Sequence, residues 1–145
     1  MNTQKIYILD GDLKIIRYEI SCSVDPKQIV ELRNSVGWNG TVGWYEQCLQ
    51  NSYFYICCFN DKELIGFLDV VSNRVTDSYI QDVIVSPDYQ RQGIGTRMME
   101  MAIKKLKEDK IYAISILFDE KLTKFYKKFG FHIMMAGQME TYKSE

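Results

Sequence analysis

The stretch Gln90-Arg91-Gln92-Gly93-Ile94-Gly95 lies between an apolar run ending at Val85 and an amphipathic run starting at Ile94. Helices normally open on a side-chain cap, and glycine in a first turn costs about 1 kcal/mol against alanine. Two glycines there need a reason. A strand–glycine loop–helix unit aims several backbone N–H groups and the positive end of the helix dipole at one point, which suits an anion such as phosphate. Without a Cβ, the ligand's oxygen can reach those amides. Arg91 and Arg97 would add charge at the rim. The stretch is neither G-x-x-x-x-G-K-[ST] nor G-x-G-x-x-G, which argues against a P-loop or a dinucleotide fold. A tight turn punctuated by glycine explains the same residues without a ligand, and the loop alone does not choose between the two.

Other reactive side chains offer less. Cys22, Cys48, Cys57 and Cys58 follow no metal-ligand or C-x-x-C spacing and read as structural thiols; Cys57 and Cys58, adjacent in a strand, should face opposite ways. His132 is the single histidine, so no metal site is expected.

The elements that must position the loop are legible from periodicity. Residues 1–20 read as a hairpin around Asp10-Gly11. Asp25-Pro26 opens a helix that Gly37 ends, and the region 25–51 continues through an aromatic stretch with Trp38, Trp44 and Tyr45 into a second helix. Strands are expected at 53–59, 63–72 and 78–85, the helix after the glycine loop at 94–108, and a strand covered on both faces at 111–118. A short helix at 120–129 follows, and "FHIMM" and "QMETYK" read as closing strands. The residues 53–109 would thus form sheet, loop and helix, and 111–145 a strand, helix and strands. The fold class is α/β of the α+β kind, one domain over 1–145 built on a single central sheet.

The chain has 145 residues, 46% hydrophobic and 26% charged, with a formal net charge of −1. That balance lacks the basic footprint of a nucleic-acid binder. No apolar run approaches the roughly 20 residues that cross a bilayer, and the first residues do not resemble a signal peptide, so no membrane partner and a cytoplasmic setting are expected.

Two motifs together carry a resemblance. "SPDYQRQGIGTRMM" resembles the acyl-CoA signature Q/R-x-x-G-x-G/A of the GCN5-related N-acetyltransferases (GNAT), and "DEKLTKFYKKFGF" resembles the family's second landmark, a Tyr before a Gly-Phe corner. The resemblance implies a mixed, mostly antiparallel sheet with splayed central strands flanked by helices, and acetyl transfer from acetyl-CoA, as donor cosubstrate without a metal, to an amine.

By the same resemblance, the strands around Val85 and Ile116 splay. Pantetheine would pair with backbone at Val83, Ile84 and Val85. The pyrophosphate would sit on the loop Gln90, Arg91, Gln92, Gly93, Ile94, Gly95 and Thr96. Asp119 stands where relatives carry a CoA-contacting Asn, and Arg91 where a Gly is frequent. Tyr126 is the implied general acid for the departing thiolate, since a phenol stays protonated at neutral pH. Its alternative is packing under the cofactor. Relatives often carry Glu at Gln81, which cannot accept a proton here; Asp82 or water are the candidate bases, with Asp82 turned away from Gln81 unless a bulge intervenes.

Trp38 and Trp44, with Gln81, are the candidate acceptor residues, the tryptophans alternatively being core anchors. Asp69, Asp77 and Asp82 are candidate polar partners of an amine. A small-molecule amine is the expected acceptor. Alternatives are a protein or peptide amine, or a CoA-binding sensor module with little catalysis. The last two strands offer apolar edges on which a homodimer could form.

Overall fold

The computed structural model describes residues 3–9 and 11–142. Six strands form one sheet in sequence order: β1 (Thr3–Leu9), β2 (Asp12–Ile20), β3 (Phe54–Asn60), β4 (Glu63–Ser72), β5 (Asp77–Val85) and β6 (Ala113–Ile116). Neighbours pair antiparallel except β5 with β6, which run parallel. A parallel pair needs a crossover, and α3 (Ile94–Glu108) provides it. Helices α1 (Pro26–Ser35) and α2 (Val42–Asn51) separate β2 from β3, and a single turn of 3-10 helix leads into α4 (Thr123–Lys127).

Local chemistry sets these boundaries. The Asp25 carboxylate accepts from the Lys27 N–H at 2.9 Å and Pro26 starts α1; Thr41 Oγ1 accepts from the Trp44 N–H at 3.2 Å to start α2. The β1–β2 hairpin turns at Gly11, whose φ of +80° favours glycine; Asp10, its expected partner in the turn, lies outside the described residues.

The sheet buries both faces. On one, Ile16, Ile56, Cys58, Leu68, Val70 and Ile80 pack against Met98, Met99, Ala102 and Leu106 of α3. On the other, Cys57, Phe59, Leu64, Phe67 and Ile84 pack against Ile29 and Leu32 of α1 and Tyr45 of α2. The adjacent cysteines do face opposite ways, each into a different layer. At about 1.5–3 kcal/mol for each large apolar side chain removed from water, these two layers hold both helix sets rigidly on the sheet.

Three expectations are corrected. The expected strand at 111–118 pairs only over Ala113–Ile116, and it is half-covered rather than buried, because it is the sheet's edge and Tyr112 projects into solvent. The helix expected at 120–129 is shorter, a 3-10 turn followed by α4. The closing strands are not formed among the described residues: 131–142 runs without regular structure, with Met134, Met135 and Met139 exposed, while Lys143 lies outside the described residues. Gly130, at φ +98°, turns the chain away after α4, and the segment finds no strand to pair with.

Candidate active site

Pairing between β5 and β6 runs from Asp77↔Ala113 to Ile80↔Ile116 and stops, although β5 continues to Val85. From Gln81 onward the β6-facing edge of β5 therefore carries backbone groups with no strand partner, while β4 still holds the other edge. The splay that the resemblance implied is present, and on β5 it opens at Ile80, ahead of Val85. Buried backbone groups need partners, so this edge is built to receive one, and an extended amide-bearing ligand satisfies it as an added strand would.

The parted strand leads into α3. Gly93, at φ +84°, takes the N-cap position, and no side chain caps the helix. The first intrahelical bond runs from the Arg97 N–H to the Gly93 carbonyl at 3.0 Å, leaving the preceding amides free of intrahelical partners. A Cβ built on Gly93 meets nothing within 4 Å, so glycine there is required by backbone conformation, and the space above it is open. A Cβ on Gly95 would come 3.4 Å from the Phe125 ring and 3.6 Å from Val85, ordinary contact distances.

Arg91 also adopts a left-handed φ of +62°, a conformation that favours glycine. Gln90 turns inward and donates from Nε2 to the Val85 carbonyl at 3.0 Å, tying the loop to the end of β5. The buried Oε1 of Gln92 has no partner. These features fit a pyrophosphate: uncapped amides at the positive end of a 15-residue helix, with open space before them. Sequence reasoning missed Lys128, whose ammonium donates to Thr96 Oγ1 at 2.9 Å and so adds a cation at that helix end. Asp119 serves locally, its Oδ1 accepting from the Lys121 N–H at 3.1 Å.

Tyr126 is 5% exposed, stacked on Phe118 with ring centroids 4.6 Å apart and flanked by Phe125 and Phe131. Its hydroxyl makes no hydrogen bond among the described residues, and burial pushes its pKa up to about 12. It stays a proton donor across the neutral range.

The acceptor side depends on a bulge. Phe67 pairs with Ile84 and Asp69 with Gln81, so Leu68 opposes two residues, Asp82 and Val83, with Asp82 at φ +55°. The extra residue brings Asp82 to the same face as Gln81, toward α1 and α2. Both carboxylate oxygens of Asp82 are then taken: Arg33 Nη1 donates to Oδ1 at 2.6 Å and Tyr45 OH to Oδ2 at 2.6 Å. The Tyr45 hydroxyl is pushed well above its usual pKa, first by burial and then by this carboxylate. Arg33 also lies over the Trp38 and Tyr45 rings and donates to the Asn39 carbonyl at 2.7 Å. Asp82 thus clamps α1, α2 and β5 together, a role no spacing in the sequence announced.

Gln81 donates from Nε2 to Asp69 Oδ2 at 2.8 Å. Asp69, on β4, is 2% exposed, and burial raises its pKa, with Ser52 and Gln81 pulling the other way. Trp38 and Trp44 are 43% and 50% exposed, which makes them rim residues rather than core anchors; Trp44 meets Tyr142 edge to face at 6.2 Å. The lone His132 is exposed, and among the described residues no group of three or more His, Cys, Asp or Glu converges as metal ligands.

The family model described as "Acetyltransferase (GNAT) family" matches residues 18–131. The uncharacterized N-acetyltransferase ycf52 of Gracilaria tenuistipitata var. liui is 31% identical over 130 residues, 85% of this chain and 71% of that protein. The histone acetyltransferase TAP1 of Glycine max is 28% identical, covering 88% of this chain and 61% of its own length. Among solved structures, the GNAT family acetyltransferase SP0256 of Streptococcus pneumoniae superposes with a TM-score of 0.72 at 27% identity over 89% of this chain and 99% of that one. The Staphylococcus aureus protein SA2161, a probable acetyltransferase, gives a TM-score of 0.77 at 26% identity over 86% and 99%. The parted strands, the uncapped glycine loop and the buried tyrosine therefore belong to a chain that is a member of the GNAT family of N-acetyltransferases.

Proposed function

We propose that this chain moves an acetyl group from acetyl-CoA directly to a primary amine of a small molecule. The observation that carries the reading is the release of β5 by β6 beyond Ile80, on a strand that a 3-10 turn at Pro87–Tyr89 and the glycine loop join to the uncapped start of α3. Acetyl-CoA supplies the acetyl thioester. Backbone of Val83, Ile84 and Val85 holds the pantetheine arm, and amides from Arg91 to Thr96, with Lys128 beside them, hold the pyrophosphate. A backbone N–H near Val83 polarises the thioester carbonyl. The Tyr126 hydroxyl, which makes no hydrogen bond among the described residues, donates to the departing sulfur. Each Asp82 oxygen already accepts a 2.6 Å bond, from Arg33 and from Tyr45, which makes it a weak base, so the amine loses its proton to water; Gln81, Trp38 and Trp44 border the acceptor.

The test is thiol release from acetyl-CoA with polyamines, arylalkylamines, amino acids and a lysine peptide. Turnover of a small amine supports the reading. Preference for the peptide supports the protein-acceptor alternative that the soybean relative's name suggests. Binding of acetyl-CoA without turnover of any member favours a sensor module.

We also propose that two copies pair through the exposed apolar residues of 131–142, which sedimentation tests as a doubling of mass. Among the described residues no helix is long and apolar enough to cross a membrane. A relative from Arabidopsis thaliana, 35% identical over 53% of this chain, is named chloroplastic, so a plastid stands beside the cytoplasm as the setting, and cell fractionation separates them.

A further inference from the structure

The acceptor side holds a buried carboxylate that the proposed reaction leaves unused. Asp69 Oδ2 is engaged by Gln81, but Oδ1 is buried without a partner. The Ser52 hydroxyl lies close enough to pull the Asp69 pKa down, but it also stands 2.7 Å from the Cys48 carbonyl, and its single proton serves one of the two at a time. Charge is also uneven here. Arg33 pairs with Asp82, whereas Asp69 forms no salt bridge among the described residues.

An ionised carboxylate only accepts hydrogen bonds. The amide of Gln81 must therefore present its NH2 end to Asp69, which turns Gln81 Oε1 the other way. Gln81 is partly exposed, at the start of the β5 segment that β6 has released. A terminal amide torsion is broad and roughly two-fold, so without Asp69 either end of Gln81 could face outward. Only one end is useful. An incoming amine or ammonium brings N–H donors, for which a carbonyl oxygen is a partner and an NH2 group is a repulsive one.

Building on the acetyltransferase reading, we propose that Asp69 is the positioning residue of the amine site: by holding Gln81 Nε2 it fixes Gln81 Oε1 as the acceptor for the substrate's N–H. The glutamine that cannot serve as a base is then a binding group, and the charge behind it favours cationic acceptors. The arrangement is also sensitive to pH. Facing Asp69 are Gln81 and Asp82 of β5, Cys48 of α2 with Ser52 at its end, and Tyr55 of β3. When Asp69 takes up a proton it becomes a donor itself, Gln81 is free to turn, and amine capture weakens. Since burial raises its pKa, this loss sets in at higher pH than for an ordinary carboxylate.

The decisive comparison is Asp69→Asn with the double variant Asp69→Asn/Gln81→Glu. Asparagine keeps the shape but can donate to Gln81 Oε1, turning the wrong end outward. The double variant exchanges carboxylate and amide across the same bond and restores an outward acceptor. We expect Asp69→Asn to raise the amine KM about tenfold or more, as for a mispaired buried hydrogen bond, with kcat and acetyl-CoA affinity nearly unchanged. The double variant should recover most of that loss, and the acid limb of kcat/KM for the amine should flatten in Asp69→Asn. A readout independent of turnover is the NMR signal of the Gln81 side-chain amide, followed during acid titration and on adding spermidine. It should move in the wild type and lose both responses in Asp69→Asn, whose backbone signals report that the fold is kept. An unchanged amine KM in Asp69→Asn, a double variant no better than the single one, or a Gln81 signal blind to pH and spermidine overturns the proposal. Failure of the wild type to acetylate any amine overturns the functional reading instead, and the NMR arm still decides the role of Asp69.

Discussion

Replacing Tyr126 by Phe removes one oxygen from the wall of the cleft and leaves the ring stack on Phe118 in place. That oxygen makes no hydrogen bond among the described residues and is not one of the polar atoms sealed from solvent, so folding gains little from it. A hydroxyl that only solvent reaches contributes little to folding, and its removal should leave stability within about 0.5 kcal/mol. Catalysis should fall. If the hydroxyl donates to a sulfur that gathers negative charge as it leaves, the bond is charge-assisted and worth about 1.5–3 kcal/mol, or roughly 10- to 150-fold in rate at 1.36 kcal/mol per decade.

The pKa refines the role. A phenol pushed up to about 12 is a poor acid against a thiolate, whose ordinary pKa near 8.5 would make full proton transfer uphill. On the proposed reading Tyr126 would act first as a hydrogen-bond donor to the departing sulfur. Because its proton is lost only as pH rises through about 12, Tyr126 should impose no basic limb on kcat below about pH 10. The assay is steady-state thiol release with the best amine, beside calorimetry with acetyl-CoA and thermal melting. A Tyr126→Phe enzyme with kcat within threefold of wild type would refute the reasoning, and so would a loss of rate matched by loss of acetyl-CoA binding.

The remaining expectations concern the loop and the clamp. Gly93→Ala should destabilise by about 1–2 kcal/mol, since a side chain at φ +84° is strained although nothing obstructs it; chemical denaturation reads this directly. Gly95→Ala should do the reverse, raising stability by up to about 1 kcal/mol in the first turn of α3, with acetyl-CoA affinity kept, because the added methyl meets Phe125 and Val85 at ordinary contact distances. Asp82→Asn should cost about 2 kcal/mol of stability through the lost charge on the Arg33 and Tyr45 bonds, while kcat stays within about fivefold. A hundredfold fall in kcat with a stable fold would return Asp82 to the role of base.

How much could be read beforehand follows from the range of the forces involved. The helix after the loop has the bounds that its three-to-four-residue spacing gave, 94–108, because amphipathic period and backbone geometry are local. The same holds for the Asp25-Pro26 start of α1 and for β4 at 63–72. The stretch 111–118 misled because a continuous apolar run looks alike in a central strand and at an edge; neighbours decide between them, and composition does not. "FHIMM" misled for a related reason, as strand propensity has no effect without a partner edge. At the site, the loop and Tyr126 were legible as motifs. The Asp82 clamp was not, since it joins Arg33, Tyr45 and Asp82 across 37 to 49 residues through a bulge with no sequence mark. Asp69 was visible only as one of several acids, and its meaning came from register, which sets it opposite Gln81.

The strand β5 meets its two prospective substrates with different parts of itself. Toward the parted edge it offers main-chain groups, which every amino acid except proline can supply; toward α1 and α2 it offers the side chains of residues 81 and 82. Donor recognition written in the main chain is indifferent to sequence. If the proposed sites hold, Gln81 and its cross-strand partner can be rewritten for a new amine without touching the main-chain edge that would hold the donor. One strand would then separate what must be inherited from what is free to diverge.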